Sequence, residues 1–335
     1  MTLPIIPLGP NQPPDRFYLG GDRIARFRRQ PPVGPDARVP EDWVGSATTL
    51  FGEDSLGLST LPDGTLLRDA IAADPVAWLG DEHVARYGDD PMLLVKLLHA
   101  GQRLPVHVHP GTDFAARELS RKHGKAEAWY VVDGGSVGVG FREEMPAEVL
   151  HRWVDAQHTQ ALFGALNVVE VSAGDTVFVP QGTPHALGEG TFVVEVQEPE
   201  DLSILLEWDG FDVDGLEEGH LTLGFDRALE AVNRSAWDDG DVAGVVTRAG
   251  AAALLPTAAG EYFRLERIDT GAAASGTMEP GFSILVVLEG EGTVTDAGGT
   301  ATTVTAGDTL LLPFSAGAVS VSGTASILRC RPPRP

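Results

Sequence analysis

Cysteine is almost absent from this chain. Cys330 is the single one among 335 residues, so no internal disulfide can form and a reducing, cytoplasmic setting is expected. Long apolar runs are missing as well. No stretch reaches the roughly 18 apolar residues that a membrane-spanning helix needs. The opening residues, MTLPIIPLGPNQPP, carry neither a basic start nor a continuous apolar core, so no signal peptide is expected. Positive charge is scarce: 24 Lys and Arg face 48 Asp and Glu, a formal net charge of −24. Such a surface argues against nucleic acid and against membrane association, and an anionic substrate would need a local basic island. Lysine is the scarcest basic residue. Lys96, Lys122 and Lys125 are the only three.

Hydrophobic residues make up 43% of the chain, enough for a packed core, and Gly 40 and Pro 24 sit largely in short turn clusters between Val, Leu and Thr runs. That pattern reads as mainly β. Residues 66–80 read as helical with a break at Pro75. Residues 92–100 form a buried strand or helix, and 112–123 a helix capped by Thr112 or Asp113 and ended by Gly124. Residues 148–167 mix periods, with helix favoured. The acidic segment 212–240 reads as partly helical.

The sequence repeats itself. GDTVFVPQGTPHALGEG (174–190) matches GDTLLLPFSAGAVSVSG (307–323), and AWYVVDGGSVGV (128–139) matches SILVVLEGEGTV (283–294). Two β modules are expected, 1–245 and 246–335. In this alignment Glu127 falls opposite Phe282 or Ser283, and His185 opposite Ala318. The second copy keeps the strand-turn frame without the polar groups.

Residues i and i+2 of a strand share a face, so His107-Val108-His109 aims two imidazoles into one space. Taken alone, H-x-H fits two half-buried strand histidines better than a metal site. Glu127 opens a later strand, and His185 follows the Pro180-Gln181-Gly182 turn. Three imidazoles and one carboxylate suit a divalent transition metal: zinc first, with manganese or iron as alternatives. The frame is Gly101, His107-x-His109, Glu127, Gly134, Gly174, Pro180-x-Gly182 and His185. It resembles the paired motifs of the cupin superfamily, a β jelly roll.

A narrower resemblance follows from PMLLVKLLHAGQRLPVHVHP, from Gly124-Lys125-Ala126-Glu127-Ala128-Trp129-Tyr130-Val131, and from Pro180 to Gly188. These are similar to the core motifs of type I mannose-6-phosphate isomerases in their short bacterial form. The resemblance implies a two-module zinc cupin, with a first module that holds the metal and a degenerate second one. It further implies aldose–ketose isomerisation of a hexose or hexose derivative, with a small-molecule sugar as partner and a monomer or homodimer as assembly. Three positions depart from the family pattern. His107 stands in place of a metal-binding Gln, Pro105 in place of a Ser associated with phosphate, and Leu205 in place of an Arg four residues after Asp201.

Candidate proton-transfer residues are Lys125 and His123, which precede Glu127, with Asp201 and Glu207 on the far strand. Glu207, two residues past Leu205, is expected to share its face. Trp43, Lys96 and Arg103 are candidate substrate contacts. Arg103, Arg121, Lys122 and Lys125 form a candidate basic island. Two other classes fit the same residues: a sugar- or metabolite-binding cupin without catalysis, and a metal-dependent cupin oxygenase.

Overall fold

The computed structural model describes residues 2–271 and 276–335. Four β-sheets build two modules. In the first, a six-stranded sheet runs Val246–Thr247, Thr176–Val179, Glu127–Asp133, Phe192–Gln197, Leu94–His99 and Glu41–Val44 in spatial order. It faces a five-stranded sheet of Ile204–Leu205, His107–Val108, His185–Leu187, Gly135–Phe141 and Leu166–Val171. Between the two sheets lie Trp129, Val131, Val137, Leu187 and Val193, all buried. This is the alternating inward pattern of a double-sheet jelly roll.

The second module repeats the plan with strands Arg264–Asp269, Ser283–Glu289, Thr309–Leu312 and Ser326–Arg331 opposite Gly276–Met278, Glu291–Thr295, Ala301–Thr305 and Val319–Gly323. The pairings do not break cleanly at 245/246. Val246–Thr247 closes the edge of the first module's sheet, while Ile6–Pro7, from the far end of the chain, pairs with Leu310–Leu311 in the second. The modules pack sheet on sheet. Val95, Ala128, Val194 and Val196 meet Ile284, Val286, Leu328 and Cys330 in one apolar cluster. Cys330 is buried there.

Register carries the repeat through to the site. Glu127 pairs with Val179 and Trp129 with Val177, as Ser283 pairs with Leu312 and Leu285 with Leu310. On the other edge Glu195 pairs with Trp129, as Arg329 pairs with Leu285. Ser283, of the two positions left open by the sequence, is therefore the counterpart of Glu127, and Arg329 that of Glu195. The turn glycines before these strands, Gly174 and Gly307, both sit at φ +88, where a side chain would be strained.

Several elements differ in detail from the sequence reading. Residues 66–80 form two helices, Leu67–Ala73 and Pro75–Leu79, with Pro75 at the first helical position and Asp74 capping Ala77, where a missing N–H costs nothing. Residues 92–100 resolve to the strand Leu94–His99. The 112–123 segment is helical over Thr112–Leu119 only. Gly111 is its N-cap and no side chain caps it, so neither Thr112 nor Asp113 does; left-handed Ser120 ends it. Gly124 has another role. A Cβ there would fall 2.7 Å from Pro110 O and Thr112 N, so its bareness lets the chain close back on the start of the excursion. Residues 148–167 are two helices, Ala147–Asp155 and Thr159–Gly164. No helix among the described residues is long and apolar enough to cross a membrane.

Candidate metal centre and substrate cavity

Two neighbouring strands of the first module aim three histidines at one point. His107 lies directly opposite His185 across a strand pair, and His109 follows one residue beyond Val108, whose side chain packs into the other core face. Gly182 N donates to His109 O at 2.7 Å, which fixes the Pro180–Gly182 turn against that strand. The three rings stand 4.1 to 4.9 Å apart by centroid, and one ligand nitrogen from each lies within 4.8 Å of the others. All three are buried.

Each Nδ1 is already engaged by a backbone carbonyl: His107 with Pro105 O at 2.9 Å, His109 with Leu202 O at 2.7 Å, His185 with Thr183 O at 2.8 Å. A proton held on Nδ1 by such a bond leaves Nε2 as a lone-pair donor toward the shared space. His185 Nε2 is buried without a hydrogen-bond partner, a costly state that a bound cation would relieve. Glu127 reaches the same space, with Oε2 3.0 Å from His109 Nε2 and Oε1 3.3 Å from His185 Nε2. Lys125 Nζ sits 2.6 Å from His109 Nε2 and 2.5 Å from Glu127 Oε2. Three imidazole nitrogens and a carboxylate thus face one buried space, and the set fits a divalent ion.

The electrostatics agree with ligand duty. Burial, then the neighbouring His185 and His109, hold His107 well below its usual range. Burial and Lys125 bring His109 down to about 3. Burial would push the Glu127 carboxyl up, but Lys125 and then His109 outweigh it and hold it well below the usual range. Neutral imidazoles and an ionised carboxylate are the forms that bind metal.

The cluster opens into a cavity of about 340 Å³. Of the candidates read from the sequence, Lys96, Lys125 and Asp201 line its wall, and so do Pro105 and Leu205, two of the positions that depart from the family pattern. Other expected contacts are placed elsewhere. Trp43 is fully buried beside Leu50 and Leu94, does not line the cavity, and donates from Nε1 to Glu41 Oε2 at 2.7 Å. It cannot stack on a sugar, because its ring faces are covered by the core and by Lys96 Nζ, 4.7 Å from its centroid. His123 is drawn away by Asp90, whose Oδ2 is 2.8 Å from its Nε2, and it is absent from the cavity wall. Arg103 and Glu207 bind each other, with Nη1–Oε2 2.8 Å and Nη2–Oε1 2.5 Å, and neither lines the cavity.

Glu207 does not follow Leu205 onto one face. The amides of Leu206 and Glu207 both donate to Val106 O, a bulge that breaks strand alternation. Nor do Arg103, Arg121, Lys122 and Lys125 gather into one basic island. Lys125 is buried in the site, Arg103 is paired, Arg121 Nη1 approaches Glu200 at 3.9 Å, and Lys122 stands exposed without an ion pair among the described residues.

The sequence reading missed Arg16, Tyr18, Glu41 and Glu195, all in the cavity wall. Glu41 Oε1 accepts from Tyr18 OH at 2.7 Å and Arg16 Nε at 3.2 Å. Lys96 Nζ lies 3.6 Å from Glu41 and 3.4 Å from Glu195. The available signal was Glu195 inside FVVEVQ, a charge at an inward position of an apolar strand.

Comparison with known proteins gives the same picture. A family model described as "Mannose-6-phosphate isomerase, cupin domain" matches residues 255–332, the second module. "Probable mannose-6-phosphate isomerase GmuF" of Bacillus subtilis is 26% identical over 304 residues, covering 89% of this chain and 91% of the relative. The crystal structure of the mannose 6-phosphate isomerase from Bacillus subtilis superposes with a TM-score of 0.72 at 23% identity, over 98% of this chain and 100% of that one. A mannose 6-phosphate isomerase bound with zinc and yttrium gives a TM-score of 0.72 at 16% identity, over 99% and 100% of the two chains. With the double jelly roll, the inward histidines and a relative matched along nearly the whole chain, the protein is similar to mannose-6-phosphate isomerases along its length and shares their cupin fold.

Proposed function

We propose that this protein is a metal-dependent aldose–ketose isomerase acting on a hexose or hexose derivative. The observation that carries the reading is the convergence of His107, His109, His185 and Glu127 on one buried point beside the cavity, in whose wall His107, His109 and Glu127 stand. The mannose-6-phosphate isomerase names of its relatives point the same way, and zinc is the metal favoured by the three nitrogens and one carboxylate and by the zinc-bound neighbour.

The reaction moves a proton from C2 to C1 of the sugar while the hydroxyl proton at O2 passes to O1. A bound divalent ion would polarise the two sugar oxygens and stabilise negative charge there. The remaining work falls to side chains. Lys125, whose Nζ faces the ligand cluster, is the group placed to take and return the carbon-bound proton. Asp201 lines the same cavity, fixed by Phe51 N donating to its Oδ2 at 3.1 Å, and is placed to serve the hydroxyl proton.

The test is NMR of zinc-loaded protein with aldohexoses and ketohexoses in deuterated water, beside His109→Ala and Lys125→Met. Interconversion with deuterium entering C1 or C2 is expected for the wild type. His109→Ala should lose the metal, and Lys125→Met should keep it while losing exchange about a hundred-fold or more. Leu205, an apolar group in the cavity wall, favours one rival, a binding cupin. Stoichiometric metal without any carbon–proton exchange would decide for it.

A further inference from the structure

The cavity wall carries three cations, Arg16, Lys96 and Lys125, against six carboxylates, Glu41, Glu127, Glu195, Asp201, Glu217 and Glu218. Every one of the cations is already matched. Arg16 Nε donates to Glu41 at 3.2 Å, and Asp201 adds negative charge beside it. Lys96 lies between Glu41 and Glu195 at 3.6 and 3.4 Å, and Lys125 is bonded to Glu127. Even with a divalent ion on the histidines, the wall stays net negative. Glu217 and Glu218 are exposed, on the short helix Gly215–Glu218, and place two carboxylates on the open side of the wall.

The positions nearest the histidines offer an anion nothing. Pro105 has no N–H, and its carbonyl is taken by His107 Nδ1. Leu205 pairs with His107 across the strands and puts an apolar side chain into the wall. What the wall does offer is carboxylate oxygens and aromatic surface from Phe17, Tyr18 and Phe51. Sugar hydroxyls donate to carboxylates, and C–H faces of a sugar ring pack on aromatics.

From this we infer that the substrate is an uncharged sugar, and that the cavity discriminates against its phosphate ester. The inference rests on the isomerase reading for the word substrate, but the charge argument concerns binding and can be tested apart from it. A phosphate dianion entering this cavity would meet like charge with no free cation to offset it, and such juxtaposition opposes binding strongly. Leu205 and Pro105 then act as specificity positions.

The experiment is calorimetric titration of the zinc-loaded full chain with a hexitol and with the same hexitol 6-phosphate, together with kcat/KM for the free and phosphorylated hexoses. The hexitol is expected to bind about ten-fold more tightly or better than its phosphate, with the same order in kcat/KM. In Leu205→Arg the phosphate ester should gain about ten-fold or more, and inorganic phosphate should become a competitor. Tighter binding or faster turnover of the phosphate by the wild type overturns the inference and leaves the isomerase reading standing. Binding of the hexitol without turnover of any hexose does the reverse. The wild-type comparison decides the matter even where the variant fails to fold.

Discussion

At the scale of single residues, buried charge in this chain is arranged in closed sets. Glu41 is buried, and burial would push its carboxyl up, yet Arg16 and Lys96 outweigh that and hold it low. Its four partners, Tyr18, Trp43, Arg16 and Lys96, leave no lone pair wanting, as a buried carboxylate demands. Trp43 belongs to this set through its indole N–H. Trp43→Phe keeps most of the ring and deletes the donor, so it should cost about 2 kcal/mol or more of stability. The expected readout is a lower urea midpoint with unchanged metal content. Loss of metal in that variant would mean that Trp43 reaches the site after all.

At the scale of elements, the polar excursion between His109 and Glu127 is held shut by contacts to neighbouring segments. Lys125 N donates to Pro110 O, Gln181 accepts from Thr112 N and donates to Glu198, and His123 clasps Asp90. Burial would lower the His123 imidazole, but its hydrogen bond and charge contact with Asp90 raise it above the usual value, and His123 in turn lowers Asp90 against the opposing effect of burial. The signs give a window. The raised histidine stabilises the fold fully below its unfolded value of about 6.5 and loses that effect as pH climbs through the folded value. The lowered aspartate stabilises above its unfolded value of about 3.9 and loses that effect as pH falls through the folded one. Asp90→Asn should therefore cost most near about pH 5 and much less near about pH 8.5. Urea midpoints of both proteins at the two pH values check this, and an equal cost at both would remove the ion pair.

How much of this was readable in the sequence follows from the range of each contact. The meeting of His107, His109, Glu127 and His185 was legible because strand alternation, a turn and a few glycines fix them locally. Helix limits at 112–123 were not, since Ser120 and Gly124 both offer an ending and packing against Pro110 decides between them. The carboxylates of the wall were hidden for another reason. Trp43, Lys96, Glu195 and Trp129 form one row across four strands, and that row depends on a strand order that sequence neighbours do not reveal. Glu207 was misplaced by a bulge that has no sequence mark.

At the scale of the whole molecule, the second module shows what the same frame does without metal ligands. Ser283 occupies the place of Glu127 and Arg329 that of Glu195. Arg329 is buried, donates from Nε to Ser283 Oγ at 2.8 Å and from Nη2 to Glu279 O at 2.7 Å, and meets Glu266 at 3.3 Å. Burial, followed by the nearby Arg331, brings its guanidinium down to about 10, so it remains charged at neutral pH. A fixed side-chain cation thus fills the interior that a carboxylate occupies in the first module. Two consequences are measurable together. Metal analysis of the loaded chain should give one ion per molecule, and Arg329→Met should leave that ratio untouched while costing about 1–3 kcal/mol of stability through the lost charged hydrogen bonds. A ratio of two in the wild type would contradict a second module held by its own arginine. A fall to zero in Arg329→Met would show that the sheet-on-sheet packing of the modules carries strain from one barrel interior to the other.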